Sequence, residues 1–473
     1  MTVHVLPSRP TAAVLQVETI PLDDDDPLIP LLDPARPLLW MSGAEGIAGR
    51  GEAIRLEFHG EHRIADAARA WQELTAHTRV DDAVHLPGTG LVAFGAFTFA
   101  PTSRVPSVLI VPSLVVGRRG GQRWLTRLRA CPPEQGAEPG TAGAQGTAPG
   151  VPPHGGAARL GELLGRARQA LLNGGAAGIQ GPGQARHGTV PRLPQPAPAG
   201  AEYRITFTPG AMSADRYRAA VAAGVARIGR GDLTKVVLAR DVVGHLPIGA
   251  DLRLALHTLS TSYPQCWTYA VDGLLGSSPE TLITVRDGAF SARVLAGTTS
   301  RGGDAAADHT HSRDLQTNGK DHREHELAVQ SVVSTLQAHS NDLSRSPEPY
   351  ALKLPNLWHL ATDVHGTLAD GSTSLDLVAA LHPTAAVAGT PAAAASEAID
   401  ELEPFDRGRY AGPVGWLGAD GDGEWAIALR GAQIDEERTI TAYAGCGIVA
   451  GSDPESELKE SAMKLRPIVE TFG

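Results

Sequence analysis

Two stretches of the chain set a pair of carboxylates three residues apart. Asp321 and Glu324 stand in NGKDHREHELAVQSVVSTL, and Glu457 and Glu460 stand in GSDPESELKESAMKLRPIV, with Lys464 four residues further on. On a helix such spacings share one face. In the first stretch Ala328 and Ser331 continue that face with small side chains. A charged helical face is ordinarily just a solvated one. Two acidic faces on separate helices, however, suit a hard cation. Mg²⁺ takes oxygen donors in octahedral geometry, commonly one or two carboxylates completed by water and substrate oxygens.

The elements that carry these acids are legible. Asp453 followed by Pro454 is a helix start, because proline in the first turn gives up an amide hydrogen that has no partner there anyway. Leu458, Ala462, Leu465, Val469 and Phe472 then recur at helical spacing as the expected buried stripe. Before this helix the spacing predicts a strand from Ile440 to Ala444 and a glycine turn at Gly445 and Gly447. Val329, Val332, Val333 and Leu336 mark the apolar side of the other acidic helix.

Across these and further stretches the chain resembles the chorismate-utilising enzymes, and among them the isochorismate synthases. The resemblance rests on AGCGIVAGSDPESELKES, KDHREHEL, LWHLATDVHG, LHPTAAVAGTP, ELEPFDRGRYAGPVGW and SSPETL, in the family's order from about Tyr217 to the end. It implies an α+β fold: two large antiparallel sheets packed together, helices outside, and both halves of the chain contributing strands. It also implies a chemistry in which water attacks C2 of chorismate while the C4 hydroxyl leaves, a reaction needing a base and an acid.

By that resemblance Lys235 activates the water and Glu280 protonates the departing hydroxyl. Lys235 must then be neutral for part of the time, which burial and cationic neighbours favour. Glu280 must stay protonated near neutral pH, so its pocket should be dry and close to other negative charge. Glu324 and Glu460 would hold Mg²⁺ directly, with Asp321 and Glu457 nearer its waters. Arg430 and Lys464 would meet the substrate carboxylates. Gly297 and Gly445 would offer backbone amides beside Thr298, with His359, Ala386 and Tyr410 around the substrate.

Three branches of the family compete. Aminodeoxychorismate synthases of the common type carry a lysine nucleophile where this chain has Ala296. Anthranilate synthases typically carry glutamine in place of Lys235 and threonine near Ala386. Both differences favour water over ammonia. Salicylate synthases share the lysine and go on to expel pyruvate, although LWHLAT and KDHREHEL look more like isochorismate synthases. The onward pathway is left open between menaquinone and siderophore synthesis. Outside the family, a binding protein without chemistry needs neither Lys235 nor Glu280, and a dinucleotide oxidoreductase lacks its turn, since the glycines from Gly445 to Gly451 are misplaced for one.

Composition sets the bounds. At 473 residues and a formal charge of −11, the chain lacks the basic surface on which nucleic-acid affinity rests. Three scattered cysteines indicate a reduced compartment and no cysteine zinc cluster. The longest apolar stretch, Val108 to Val116, is cut by Pro112 and cannot span a bilayer. No signal peptide is visible, and a cytoplasmic monomer with chorismate as its small-molecule partner is the expectation. His309, His311, His322, His325 and His359 lack zinc-helix spacing and read as packed or capping residues. Asp23 to Asp26 read as a solvated loop.

For domain organisation, residues 1–200 form an N-terminal segment containing Gly/Pro/Ala-rich linkers at 132–157 and 181–200, with one helix between them near 160–171. Residues 201–473 form the catalytic domain. Its expected strands lie at about 267–271, 274–286, 290–295, 413–419, 424–434 and 438–444. Its helices lie near 251–262, 320–338, 374–381, 392–402 and 454–471.

Overall fold

The computed structural model describes residues 15–130, 198 and 200–473. The helix expected near 160–171 and nearly all of both linkers lie outside the described residues. Two large sheets form the body, one of 13 strands and one of 10, with helices on their outer faces. Antiparallel pairing dominates; the edge strand Thr78–Asp82 runs parallel to Leu15–Leu22. The expected α+β class with two packed antiparallel sheets is borne out.

Both halves of the chain enter both sheets. Leu38–Ser42 pairs with Trp267–Val271 in the larger sheet, and Val92–Ala96 pairs with Pro413–Gly418 in the smaller one. Their facing side chains make a common core: Trp40, Ile47, Trp124 and Tyr269 from one sheet, Phe94, Ile110, Val414 and Trp416 from the other. Each such side chain withdrawn from water contributes about 1.5–3 kcal/mol. A polar clip crosses this core. The fully buried Glu424 carboxylate accepts from Trp40 Nε1 at 2.9 Å, Trp416 Nε1 at 3.2 Å and Arg119 at 2.9 Å, and also pairs with Arg286. Burial opposes its charge, yet Arg119 and Arg286 hold its carboxyl below the usual range.

The chain passes from one sheet to the other at sharp corners, and these corners explain several differences from the sequence-based expectation. The stretch 274–286 is two strands, Leu274–Ser278 in the larger sheet and Thr281–Arg286 in the smaller, broken at Pro279 and Glu280. The stretch 424–434 is likewise Gly423–Ile427 and Gly431–Ile434, in different sheets. The strands that run into the corners, Leu274–Ser278 and Gly423–Ile427, are buried on both faces, so no polar alternation announces the corner. The segment from Leu38 forms three strands, Leu38–Ser42, Glu45–Arg50 and Ile54–Phe58.

Gly445 and Gly447 are not in a turn. Thr439–Ile448 is one continuous strand, paired along its length with Lys235–His245, and the turn falls at Gly451 with φ 87°. The helix that follows, Pro454–Phe472, starts as expected, with the Asp453 carboxylate accepting from the Ser456 amide. Its buried stripe contains Ser461 and Lys464 beside Leu458, Leu465 and Phe472, whereas Ala462 is exposed. The helix Ala305–Thr317 and the long strand Leu357–Thr367 were not among the expected elements. The first has few apolar residues to betray it, and LWHLAT reads as a motif before it reads as a strand.

Candidate active site

The floor of the site is the strand pair Lys235–His245 and Thr439–Ile448, where Val237 faces Gly447 and Ala239 faces Gly445. The missing side chains at these glycines admit what lies above. A Cβ on Gly447 would collide with Glu324 Oε1 and lie 2.9 Å from Lys235 Cε; one on Gly445 would sit 3.2 Å from the Tyr410 hydroxyl. Glycine within a strand often marks such close approach.

Two sheet-crossing corners supply the opposite wall. Glu280 sits at the first and Arg430 at the second, and the corners are tied by Ser278 Oγ donating to the Ile427 carbonyl at 2.6 Å and by the Ile427 amide donating to the Glu280 carbonyl at 3.2 Å. Arg430 holds a left-handed backbone at φ 50°, a conformation that costs energy for a non-glycine residue and tends to occur at functional sites. A register shift between Ala296 and Thr298 in the strand Ala289–Ser300 leaves Gly297 at φ 78°, packed beside Asp321.

These parts enclose a narrow cleft. Glu280, Gly297, Thr298, Glu324, His359, Ala386, Tyr410, Arg430, Gly445 and Lys464 all line it. Lys235 does not line the cleft surface but lies just beneath it, fully buried, with Nζ 3.2 Å from Glu324 Oε1. That contact is not aligned as a hydrogen bond, and the ammonium has no other partner among the described residues. The ionic attraction is the meaningful part, because it depends on distance far more than on angle. Glu460 pairs with Lys464 at 2.6 Å. Asp321, Glu457 and Glu460 do not line the cleft; Glu457, Glu460 and the Cys446 thiol lie within 4.8 Å of one another.

The charges are sharply tuned. Burial pushes the Glu280 carboxyl up to about 7, although Lys235, Arg430 and Lys464 all pull it down. The sequence-based expectation of nearby negative charge is therefore corrected: desolvation alone does it, against three cations. His359 is held neutral by burial, well below the usual imidazole range. Its Nδ1 lies 3.2 Å from the Gly297 carbonyl and 3.1 Å from Thr298 Oγ1, so Nδ1 carries the proton and Nε2 accepts from Arg430 at 2.9 Å. Burial lowers the Arg430 guanidinium. Burial also opposes the charge on Lys464, but Glu460 beside it holds that ammonium above its usual range. Burial raises the Tyr410 phenol to about 12.

His325 is a packed residue, its ring between the Ala296 carbonyl and Thr362 Oγ1. Val237, Leu295, Val387 and Leu429 also line the cleft and were not singled out in the sequence; they are apolar residues with no chemical mark. Gly447 was noticed for its bare backbone but placed in a turn rather than on the floor.

A sequence profile described as "Chorismate binding enzyme" matches residues 35–142 and 192–473. The chain belongs to the chorismate-binding enzymes. Among curated relatives, isochorismate synthase DhbC of Bacillus subtilis (strain 168) is 37% identical over 287 residues, 58% of this chain and 71% of that protein. Isochorismate synthase EntC of Escherichia coli (strain K12) is 36% identical over 258 residues, 54% of this chain and 66% of that protein. In structure the chain is similar to MenF, the menaquinone-specific isochorismate synthase from Escherichia coli, with a TM-score of 0.70 and 24% identity over 97% of this chain and 96% of the other. Anthranilate synthase component I from Streptococcus pneumoniae shares the fold as well, at a TM-score of 0.63 and 18% identity over 95% of this chain and 100% of the other.

Proposed function

We propose that the protein is an isochorismate synthase, a Mg²⁺-dependent isomerase that converts chorismate to isochorismate by adding water at C2 as the C4 hydroxyl leaves, acting as a cytoplasmic monomer. The observation that carries this reading is Glu280. Buried at the cleft with its carboxyl pushed up to about 7, it keeps its proton in about half of the molecules at neutral pH and can give it to a leaving hydroxyl.

Arg430 and Lys464 line the same cleft and are the cations for the substrate carboxylates. His359 fixes Arg430 through its acceptor nitrogen, so the guanidinium is aimed before substrate arrives. Lys235 is the base: in the fraction that has lost its proton, the amine takes one from the attacking water while Glu280 gives one to the leaving oxygen. Ala296 and Ala386 leave the wall without a lysine or threonine, in keeping with water as the nucleophile.

The acids fit a hard cation: Glu324 lines the cleft from one helix, and Glu457 and Glu460, on the other, offer oxygen donors close to one another beside the lining residue Lys464. Glu324 and Glu460 would hold Mg²⁺, with Asp321 and Glu457 behind them, and the ion would neutralise a substrate carboxylate among these acids. Each inner carboxylate already rests on a lysine, Glu324 on Lys235 and Glu460 on Lys464. Undiminished turnover in excess chelator would contradict the metal assignment.

Incubation with chorismate, followed by separation of the products, tests the reading. Isochorismate with little pyruvate supports it; stoichiometric pyruvate with salicylate moves the protein to the pyruvate-eliminating branch, and an amino product with ammonium to the aminating branch.

A further inference from the structure

The segment ELEPFDRGRYAGPVGW contributes Tyr410 to the cleft, but it also buries an ion pair that none of the chemistry above uses. Glu403 and Arg407 are 6% and 4% exposed. Every nitrogen of the Arg407 guanidinium is engaged: Nε with Glu403 Oε2 at 2.8 Å, one terminal nitrogen with Glu403 Oε1 at 2.6 Å and the Val237 carbonyl at 2.8 Å, the other with the Val387 carbonyl at 2.9 Å. Glu403 Oε1 also accepts from the Ala239 amide at 2.7 Å. The guanidinium carbon lies over two aromatic rings, 4.3 Å from the Phe99 centroid and 5.8 Å from that of Tyr410.

The pair thus grips two separate pieces of the cleft. One is the strand Lys235–His245, at Val237 and Ala239. The other is the loop 384–390, at Val387, next to Ala386. Val237, Val387, Ala386 and Tyr410 line the cleft, whereas Glu403 and Arg407 do not. Strand and loop also meet through a short ladder, Lys235 with Thr390 and Val236 with Gly389, with the Val237 amide donating to the Ala388 carbonyl at 2.8 Å and the Thr234 amide to the Thr390 carbonyl at 2.7 Å.

We infer that Glu403 and Arg407 are a positioning pair: they set the spacing between the strand that carries Lys235 and the loop that carries Ala386. The inference rests on the isochorismate synthase reading for its catalytic consequence, though not for its geometry. Arginine suits the place because its planar fork reaches two carbonyls and a carboxylate at once, which a lysine ammonium does not reproduce. Without the fork, two buried carbonyls lose their donor and the loop loses its tie to the strand at Val387, leaving the ladder at 388–390 to hold it. A displacement of about 1 Å at a reacting centre is enough to cost about 100-fold in rate.

The test is Arg407→Lys, which keeps a cation opposite Glu403 but cannot bridge both carbonyls, with Glu403→Asp as a milder second variant that draws the fork back by one methylene. Amide hydrogen exchange of the substrate-free protein reads the geometry. Exchange should quicken in 235–239 and 384–390 and stay unchanged in the paired strands Trp267–Val271 and Pro413–Gly418. Steady-state kinetics read the consequence. The kcat should fall about 10- to 100-fold with KM for chorismate within about threefold, because Arg430 and Lys464 are untouched.

Unchanged exchange in both segments in either folded variant overturns the inference, as does a loss of activity no larger than the loss of folded protein. A rise in KM at constant kcat overturns it too. If wild-type protein does not turn over chorismate, the functional reading fails, while hydrogen exchange still decides the positioning role.

Discussion

Replacing Glu280 with glutamine should make the protein more stable and less active at the same time. The carboxyl is raised from the ordinary 4.5 to about 7 by burial, with Lys235, Arg430 and Lys464 opposing. Between those two values the unfolded chain releases this proton and the folded one keeps it. The contribution is therefore fully present below pH 4.5 and is lost as the pH rises through 7. A rise from 4.5 to about 7 is worth about 3 kcal/mol. For a chain of this length that is about 3 °C in unfolding temperature.

Glutamine is nearly isosteric and never ionises, so Glu280→Gln removes the high-pH penalty and leaves low-pH stability alone. Thermal unfolding of the metal-free protein at pH 5 and pH 8.5 is the assay. The variant should gain about 3 °C over wild type at pH 8.5 and little at pH 5, while kcat falls about 10²- to 10⁴-fold for want of a proton donor. Equal stability differences at both pH values would refute the burial argument. An active Glu280→Gln enzyme would refute the role of the acid.

Lys235→Gln should lose water addition by a similar factor while chorismate still binds, because the amide cannot take a proton; turnover within a few-fold of wild type would place the base elsewhere. Gly447→Ala should weaken divalent-cation binding in a Mn²⁺ titration, since the new methyl group collides with Glu324 Oε1. Unaltered Mn²⁺ affinity there would show that Glu324 does not serve the cation. Glu424→Gln leaves Arg119 and Arg286 facing a neutral group inside the core and should cost about 3 kcal/mol in urea unfolding, with kcat per folded molecule unchanged.

Much of the site was legible because its acids and bases sit in motifs with strong local form. The Asp453 cap, the spacing of Glu457, Glu460 and Lys464, and the matching pair Asp321 and Glu324 are all short-range features. What escaped was long-range. Glu280 and Arg430 come together because the chain changes sheets beside each of them, and the strand leading into each corner is buried on both faces, so its sequence gives no polar alternation to mark the end. Gly447 looked like a turn because glycines usually make one; here the strand continues and the glycine makes room for Glu324. Arg407 carried no sign of its reach, since its partners Val237 and Val387 are backbone carbonyls 170 and 20 residues away.

The product of chorismate turnover bears most directly on the central claim. Purified protein, chorismate and Mg²⁺ should yield an equilibrium mixture of chorismate and isochorismate, because the two isomers differ little in bonding. Pyruvate should stay near background, ammonium should add no amino product, and excess chelator should stop the reaction. Chorismate returned unchanged by folded, Mg²⁺-loaded protein would contradict the account, and so would stoichiometric release of pyruvate.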